Sequence, residues 1–314
     1  MYKLIVSRLI QGVFTTWAVV TVVFLLIRVS GDPVDMFYGG AATREALQEA
    51  EAMRRQYGLD RSVPEQYVDY LTDLLRLDFG TSIHLKRPVV DLIGERIPHT
   101  LRLTVVAFMV SYLIAIPLGV LAALRRGTAF DYTSLGLTMV GVSLPAFWLG
   151  LMLILLFSVQ LNWLPASGIG DPSLQSRVRH LILPAITLAV PRMAVMTRFI
   201  RGTMLDILGA DYLTTARAKG MRERAVIMRH GFRNALIPIV TLIGLQLGFL
   251  VGGAVVIERV FGLPGVGDLV VDAISGRDFP VVQASVLMLA ISVVIANTAV
   301  DILYGYVDPR VRTE

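Results

Sequence analysis

Apolar residues in this chain gather into six long runs, at approximately 9–29, 101–124, 133–160, 181–200, 236–257 and 282–305. A hydrocarbon core of roughly 30 Å is crossed by about 20 helical residues at 1.5 Å each, so every run is long enough to span. The pattern predicts an all-α fold, a polytopic membrane protein with six transmembrane helices. Pro117, Pro145, Pro184 and Pro191 fall inside the runs and predict kinks. Residues 30–98 alternate differently. Thr43 is placed to cap a helix carrying Leu47, Ala50 and Met53, and Gly58 to stop it. After Pro64, Tyr67, Tyr70, Leu71, Leu74 and Leu75 recur at helical spacing. This segment is expected to cap the bundle, either as a scaffold for helix ends or as a contact for an external partner.

Composition agrees with a membrane protein. The chain is 55% apolar and 17% charged, with a mean hydropathy of +0.66. Soluble proteins lie near about 45–50% and about 25%. There are no cysteines, so disulfides and thiolate metal sites are excluded, and the four histidines show no ligand spacing. Lys3 and Arg8 before the first run also suit a signal peptide. That apolar core is too long, however, and Arg28-Val29-Ser30-Gly31-Asp32 offers no small-x-small cleavage pattern.

The net charge of +5 sits beside the apolar runs, which points to the positive-inside rule and not to nucleic acid. Lys3 and Arg8, Arg125 and Arg126, and Arg310 and Arg312 flank alternate run ends. The loop between runs four and five adds Arg201, Arg217, Lys219, Arg222, Arg224, Arg229 and Arg233, against Arg177, Arg179, Arg259 and Arg277 on the other side. Both termini are therefore expected in the cytoplasm. The chain divides into an amino-terminal transmembrane helix at 1–29, an extracytoplasmic segment at 30–98, a transmembrane core at 99–306 containing a loop at 201–235, and a cytoplasmic tail at 307–314.

The 211–238 stretch, DYLTTARAKGMRERAVIMRHGFRNALIP, is the outstanding polar feature. Asp211 is expected to cap a helix from Tyr212, interrupted near its middle by Gly220. One reading is an interfacial amphipathic helix facing anionic lipid; another is a docking element for a cytoplasmic partner. The chain has no G-x-x-x-x-G-K-[ST] loop to cradle ATP phosphates, so it is not expected to be an ATPase itself.

The order of several motifs is specific. Thr215-Ala216-Arg217-Ala218-Lys219-Gly220 and the 229–238 segment resemble the coupling loop of B-type permease subunits of dipeptide and oligopeptide ABC importers. Gly31-Asp32-Pro33, Gly58-Leu59-Asp60, Asp78-Phe79-Gly80-Thr81-Ser82, Pro98-His99-Thr100-Leu101 and Ser143-Leu144-Pro145-Ala146-Phe147-Trp148 fit that family. So do Trp163-Leu164-Pro165, Phe261 through Gly267, Arg277-Asp278-Phe279-Pro280 and Val307-Asp308-Pro309-Arg310. The general Glu-Ala-Ala motif falls on Thr214, Thr215 and Ala216, so only Ala216 and Gly220 match it.

The resemblance implies a type I ABC importer permease, not an enzyme, moving di- or oligopeptides. The family also includes importers of glutathione, nickel chelates, opines and oligosaccharides. The implied partners are a second homologous permease subunit, two ABC ATPase subunits or domains carrying ATP and Mg, an extracytoplasmic substrate-binding protein and the lipid bilayer of the cytoplasmic membrane. No cofactor belongs to this chain, and no nucleic acid. Asp211, Ala216, Arg217, Lys219, Gly220, Arg222 and Arg224 would couple to the ATPases, the 211–228 helix acting as a lever. Glu258, Arg259, Pro264, Gly265 and Gly267 would form an external gate or binding-protein contact, unless 258–281 is an ordinary turn.

Arg192, Gln246 and Asn297 are candidates for the translocation path. Arg192 alternatively snorkels toward the cytoplasm with Arg198 and Arg201, and Gln246 and Asn297 alternatively bond between helices. An ion-coupled secondary transporter would need ionisable pairs near the midplane and inverted repeats, neither of which is evident. A membrane anchor or receptor is the remaining class.

Overall fold

The computed structural model describes residues 2–29, 31, 32, 34, 38 and 43–307. The 308–314 part of the expected tail, with Arg310 and Arg312, and Ser30 and Pro33 of the amino-terminal motif lie outside the described residues. Helix α1 (Tyr2–Val29) is followed by two shorter helices, α2 (Arg44–Gln56) and α3 (Val63–Leu75), and then by α4 (Val89–Leu124). The Thr43 hydroxyl accepts from Ala46 N, capping α2 as its position predicts, and Gly58 follows that helix at φ +64°. Ser62 and Glu65 form a reciprocal capping box on α3. Tyr67 and Tyr70 of α3 pack on Phe24 of α1, and the Tyr67 and Thr21 hydroxyls lie 2.7 Å apart. The segment thus sits as a cap on the end of α1.

Among the described residues, five helices are long and apolar enough to cross a membrane, and a bent pair, a broken span or a re-entrant loop, gives up to six. That pair corrects the expectation of one continuous span over 133–160. Helix α5 (Ala129–Ser143) and α6 (Ala146–Leu153), which runs on as π-helix through Ile154–Gln160, are bent by 105° relative to one another. Pro145 has no N–H to continue the ladder and forces Leu144 into the extended region, at φ −80° and ψ 128°. The prolines inside the long helices, Pro98 and Pro117 in α4, Pro184 and Pro191 in α7 (Leu174–Leu208) and Pro238 in the helix Arg233–Phe261, leave those helices continuous.

Helices α4 and α7 form the central pair, with 36 and 35 residues, or roughly 50 Å each. Both overrun a bilayer core and carry side chains beyond it at either end. Close approach is set by small residues: a Cβ on Gly119 would lie 2.8 Å from Thr197 O and from Ile200 Cβ. Helix α7 turns at Gly209 and Ala210 into α8 (Asp211–Ala218); a single turn, Glu223–Ala225, then leads into π-helix Val226–Phe232 and the long helix that begins at Arg233. With that turn as α9, α10 (Arg233–Phe261), α11 (Val266–Ser275) and α12 (Phe279–Val307) complete the bundle.

Two core clusters join α4, α7 and α10, one around Leu103, Leu188 and Ile257 and one around Tyr112, Ile200 and Ile239. A third joins the α1 end to α4, α11 and α12 around Ile27, Leu92, Leu269 and Phe279. The beginnings of α1 and α5 and the end of α12 therefore lie at the same end as α8. Residues 44–88, 161–173 and 262–278 gather at the other.

Candidate functional sites at the two ends of the bundle

At the first end, 211–232 folds as a hairpin and not as one interrupted helix. Helix α8 stops at Ala218, and Gly220 takes φ +75°, where only glycine is at ease; nothing lies within 4 Å of the position its Cβ would occupy. Asp211 does not cap α8 as expected. Ala210 holds the N-cap position and Asp211 lies in the first turn, where its charge still favours the helix dipole.

Leu213 and Ala216 are buried with Val226 against Ile207, Leu208 and Met221, so the hairpin is docked on the end of α7 by a small apolar cluster. Arg217 bonds Glu223 across the turn at 3.0 Å, and that hydrogen bond holds the exposed Glu223 carboxyl below the usual range. Asn234 Nδ2 donates to the Tyr212 hydroxyl at 3.1 Å, tying α8 to α10. Lys219, Arg222 and Arg224 are exposed, beside exposed Tyr212 and Met228. Arg217 is committed inside the hairpin; Lys219, Arg222 and Arg224 carry no ion pair among the described residues.

A buried ion pair that sequence reading missed braces this end. Arg201 donates to both oxygens of Asp131 at 2.5 and 2.7 Å, and Gly127 N adds a third bond at 3.0 Å. Asp131 is 1% exposed. The available signal was an acid near the start of an apolar run, expensive unless paired.

At the opposite end, Gly262 ends α10 in the left-handed region and α11 folds back beneath the span ends. Glu258 is fully buried, accepting from Thr100 Oγ1 at 2.6 Å and from the N–H groups of Gly267 and Asp268 at 2.8 and 3.2 Å. The carboxylate therefore meets the first turn of α11, where the peptide dipoles favour an anion. A Cβ on Gly265 would collide with this carboxylate, and one on Gly267 with Val255 Cα and Glu258.

Gly265, Gly267 and Glu258 are thus internal, and Pro264 is half-buried. Arg259 is exposed and bonds Asp268 and Asp272 at 2.9 and 2.7 Å. A second carboxylate, Asp278, accepts from Ser82 Oγ at 2.5 Å and from Ile83 N at 3.1 Å, joining the cap segment to the α11–α12 turn. His84 also bonds Gly276 O.

Leu263 lines a cavity of about 360 Å³ between α4, α7 and the 168–172 loop, which Arg102 and Arg177 make basic and His99 and His180 also line. The path candidates are placed separately. Arg192 lies half-buried at the middle of α7, against Leu188 O and the bare face of Gly253 on α10, and does not extend toward the Arg198–Arg201 end. Gln246 is half-buried seven residues before Gly253, and Asn297 is exposed on α12.

The comparisons with known proteins fit this architecture. Residues 115–313 match the family of binding-protein-dependent transport system inner membrane components, and residues 1–104 its amino-terminal region. The chain belongs to that family. It is 40% identical over 313 residues to the glutathione transport system permease protein GsiC of Escherichia coli K12, with 99% of each chain covered. GsiC of Shigella dysenteriae gives the same figures.

Among solved structures, inward-facing conformations of the MetNI methionine ABC transporter superpose with a TM-score of 0.57 at 20% identity, over 69% of this chain and 96% of that one. This permease is accordingly a multi-pass inner-membrane subunit of a binding-protein-dependent ABC importer. It is not an enzyme; ATPase and substrate-binding components are its partners.

Proposed function

We propose that this permease forms one half of a translocation path for di- and oligopeptides, paired with a second, similar permease chain and two ATPase subunits or domains. The observation that carries the coupling reading is the basic hairpin, which presents Lys219, Arg222 and Arg224 at the tip of an apolar dock. ATP and Mg belong to the ATPases, whose closure grips the hairpin and moves the α7 end with it. Exposed arginines at such a rim set orientation more than affinity.

This end faces the cytoplasm, as do both termini; the charge bias of the loops supports that sidedness. At the opposite end, Arg259 and Pro264 form the contact for a loaded binding protein, while Glu258, Gly265 and Gly267 hold α11 in place behind them. The basic cavity beside Leu263 suits a cargo with free carboxylates, which peptides and glutathione share. The GsiC relatives are glutathione transport system permeases, which makes glutathione a specific candidate within the same chemistry.

The test is to isolate the tagged chain from its native membrane in mild detergent, identify what co-purifies, and measure uptake of labelled dipeptide and glutathione in vesicles carrying the recovered complex. An ATPase pair with a second permease and ATP-dependent uptake is the expected result. A chain recovered alone under conditions that preserve a control importer overturns the coupling assignment.

A further inference from the structure

Five buried polar atoms without a hydrogen-bond partner belong to residues lining one cavity: Nε and Nη1 of Arg28, Oε1 of Gln66, the Tyr70 hydroxyl and Nε2 of Gln283. Such atoms are rare in folded proteins, and several around one space call for an occupant. The cavity, about 720 Å³, lies between the end of α1, the α3 cap and the start of α12. None of the residues assigned above to coupling, gate or path lines it.

Arg28 sets the chemistry. Its guanidinium carbon lies 4.7 Å from the Phe24 ring centroid and 5.6 Å from that of Phe279, so two rings hold the cation without supplying a counter-charge. Asp32, the acid whose charge bears on it, is engaged by Arg54 at 2.6 Å. Of the acids lining the cavity, Asp69 pairs with Arg61 at 2.6 Å and Asp78 accepts from Gly80 N. Asp73 lines it too and has no ion pair among the described residues.

Water satisfies an amide or a phenol, but a half-buried guanidinium calls for an anion. The N–H groups of Arg28 and Gln283 with the Tyr70 hydroxyl make a donor set for an oxyanion. Further round the same helix end, outside the cavity lining, Val22, Leu25, Leu26 and Val29 are 50–86% exposed. An oxyanion donor set at the end of a span whose outer face is apolar has the two parts of a lipid site.

We propose that this cavity holds the headgroup of an aminophospholipid, its phosphate on Arg28, Gln283 and Tyr70, its ammonium toward Asp73 and its acyl chains along α1. The proposal is independent of the cargo and of which end faces the cytoplasm.

The test is lipid retention by the intact importer complex, compared for the natural chain, Arg28→Leu and Gln283→Leu. After an extensive detergent wash, native mass spectrometry of the natural complex is expected to show one phosphatidylethanolamine retained per copy of this chain. Occupancy should fall by about tenfold or more in Arg28→Leu, a difference of about 1.4 kcal/mol, and by less in Gln283→Leu. Excess glycerophosphoethanolamine should displace little of the lipid, because the free headgroup lacks the acyl contacts.

Equal retention in all three complexes overturns the proposal, as does a natural complex that keeps no phospholipid or prefers phosphatidylglycerol. If Arg28→Leu does not assemble, Gln283→Leu decides: unchanged retention there also overturns it.

Discussion

At one end of the bundle a ten-residue helix is tied down by the buried carboxylate of Glu258, and the turn after it by Asp278, which reaches partners up to 196 residues away. At the other, an eight-residue helix is held by three buried apolar side chains and a surface ion pair. The first arrangement is expensive to disturb, because a displaced carboxylate leaves buried donors unpaired. The second exposes most of its surface and has donors to spare. The difference teaches where movement would enter: if the hairpin is the coupling element proposed above, a partner can grip it without dismantling anything, and the displacement would pass to α7 and α10.

Removing the first anchor should have the largest effect. Glu258→Ala strands the Thr100 hydroxyl and two N–H groups in the interior, at a cost of about 1–3 kcal/mol for each buried donor left unsatisfied. The solubilised complex should melt much lower or fail to assemble, as thermal unfolding would read; a shift under one degree would mean the carboxylate is no anchor.

Next comes the brace at the hairpin end. Asp131→Ala forfeits charge-assisted bonds to Arg201 and should cost about 2–3 kcal/mol. If the ion pair matters as a pair, Asp131→Ala with Arg201→Leu should recover part of the loss in the same melt.

Leu213→Ala should cost about 2–3 kcal/mol locally by hollowing the apolar dock. Protease nicking within 211–232 should rise while overall melting barely moves; unchanged nicking would place the hold on the hairpin elsewhere. Gly220→Val forces a β-branched residue to φ +75°, a strain of about 1–2 kcal/mol. Uptake should fall with the complex still assembled and hydrolysing ATP, and undiminished uptake would remove the hairpin from the coupling role. Smallest is Arg222→Gln with Arg224→Gln, which should weaken ATPase retention mainly at raised salt.

The spans were legible because continuous apolar runs need no tertiary context, and the Thr43 cap and Gly58 stop because their chemistry is local. The sharp break at Leu144–Pro145 was legible in place but not in size: a proline announces a kink, while surrounding packing decides between a bend of a few degrees and 105°. Glu258, Gly265 and Gly267 were picked out as one group, yet only the fold shows that the glycines are small because the carboxylate occupies their space. Asp131 with Arg201 and Asp278 with Ser82 are pairs separated by 70 and 196 residues, and nothing in a single sequence links such positions.

The π-helical segment Val226–Phe232 gives the hairpin a length code. One residue more than an α-helix needs is accommodated there, and each residue turns a helix by about 100°. Deleting one residue within it would leave a smoother helix but rotate all of α10 relative to α9, bringing a neighbouring face in place of Ala235 and Ile239 onto α7. In this chain a perfectly regular helix would be the misfolded one, and the count of residues between Gly220 and Pro238 matters as much as their identities.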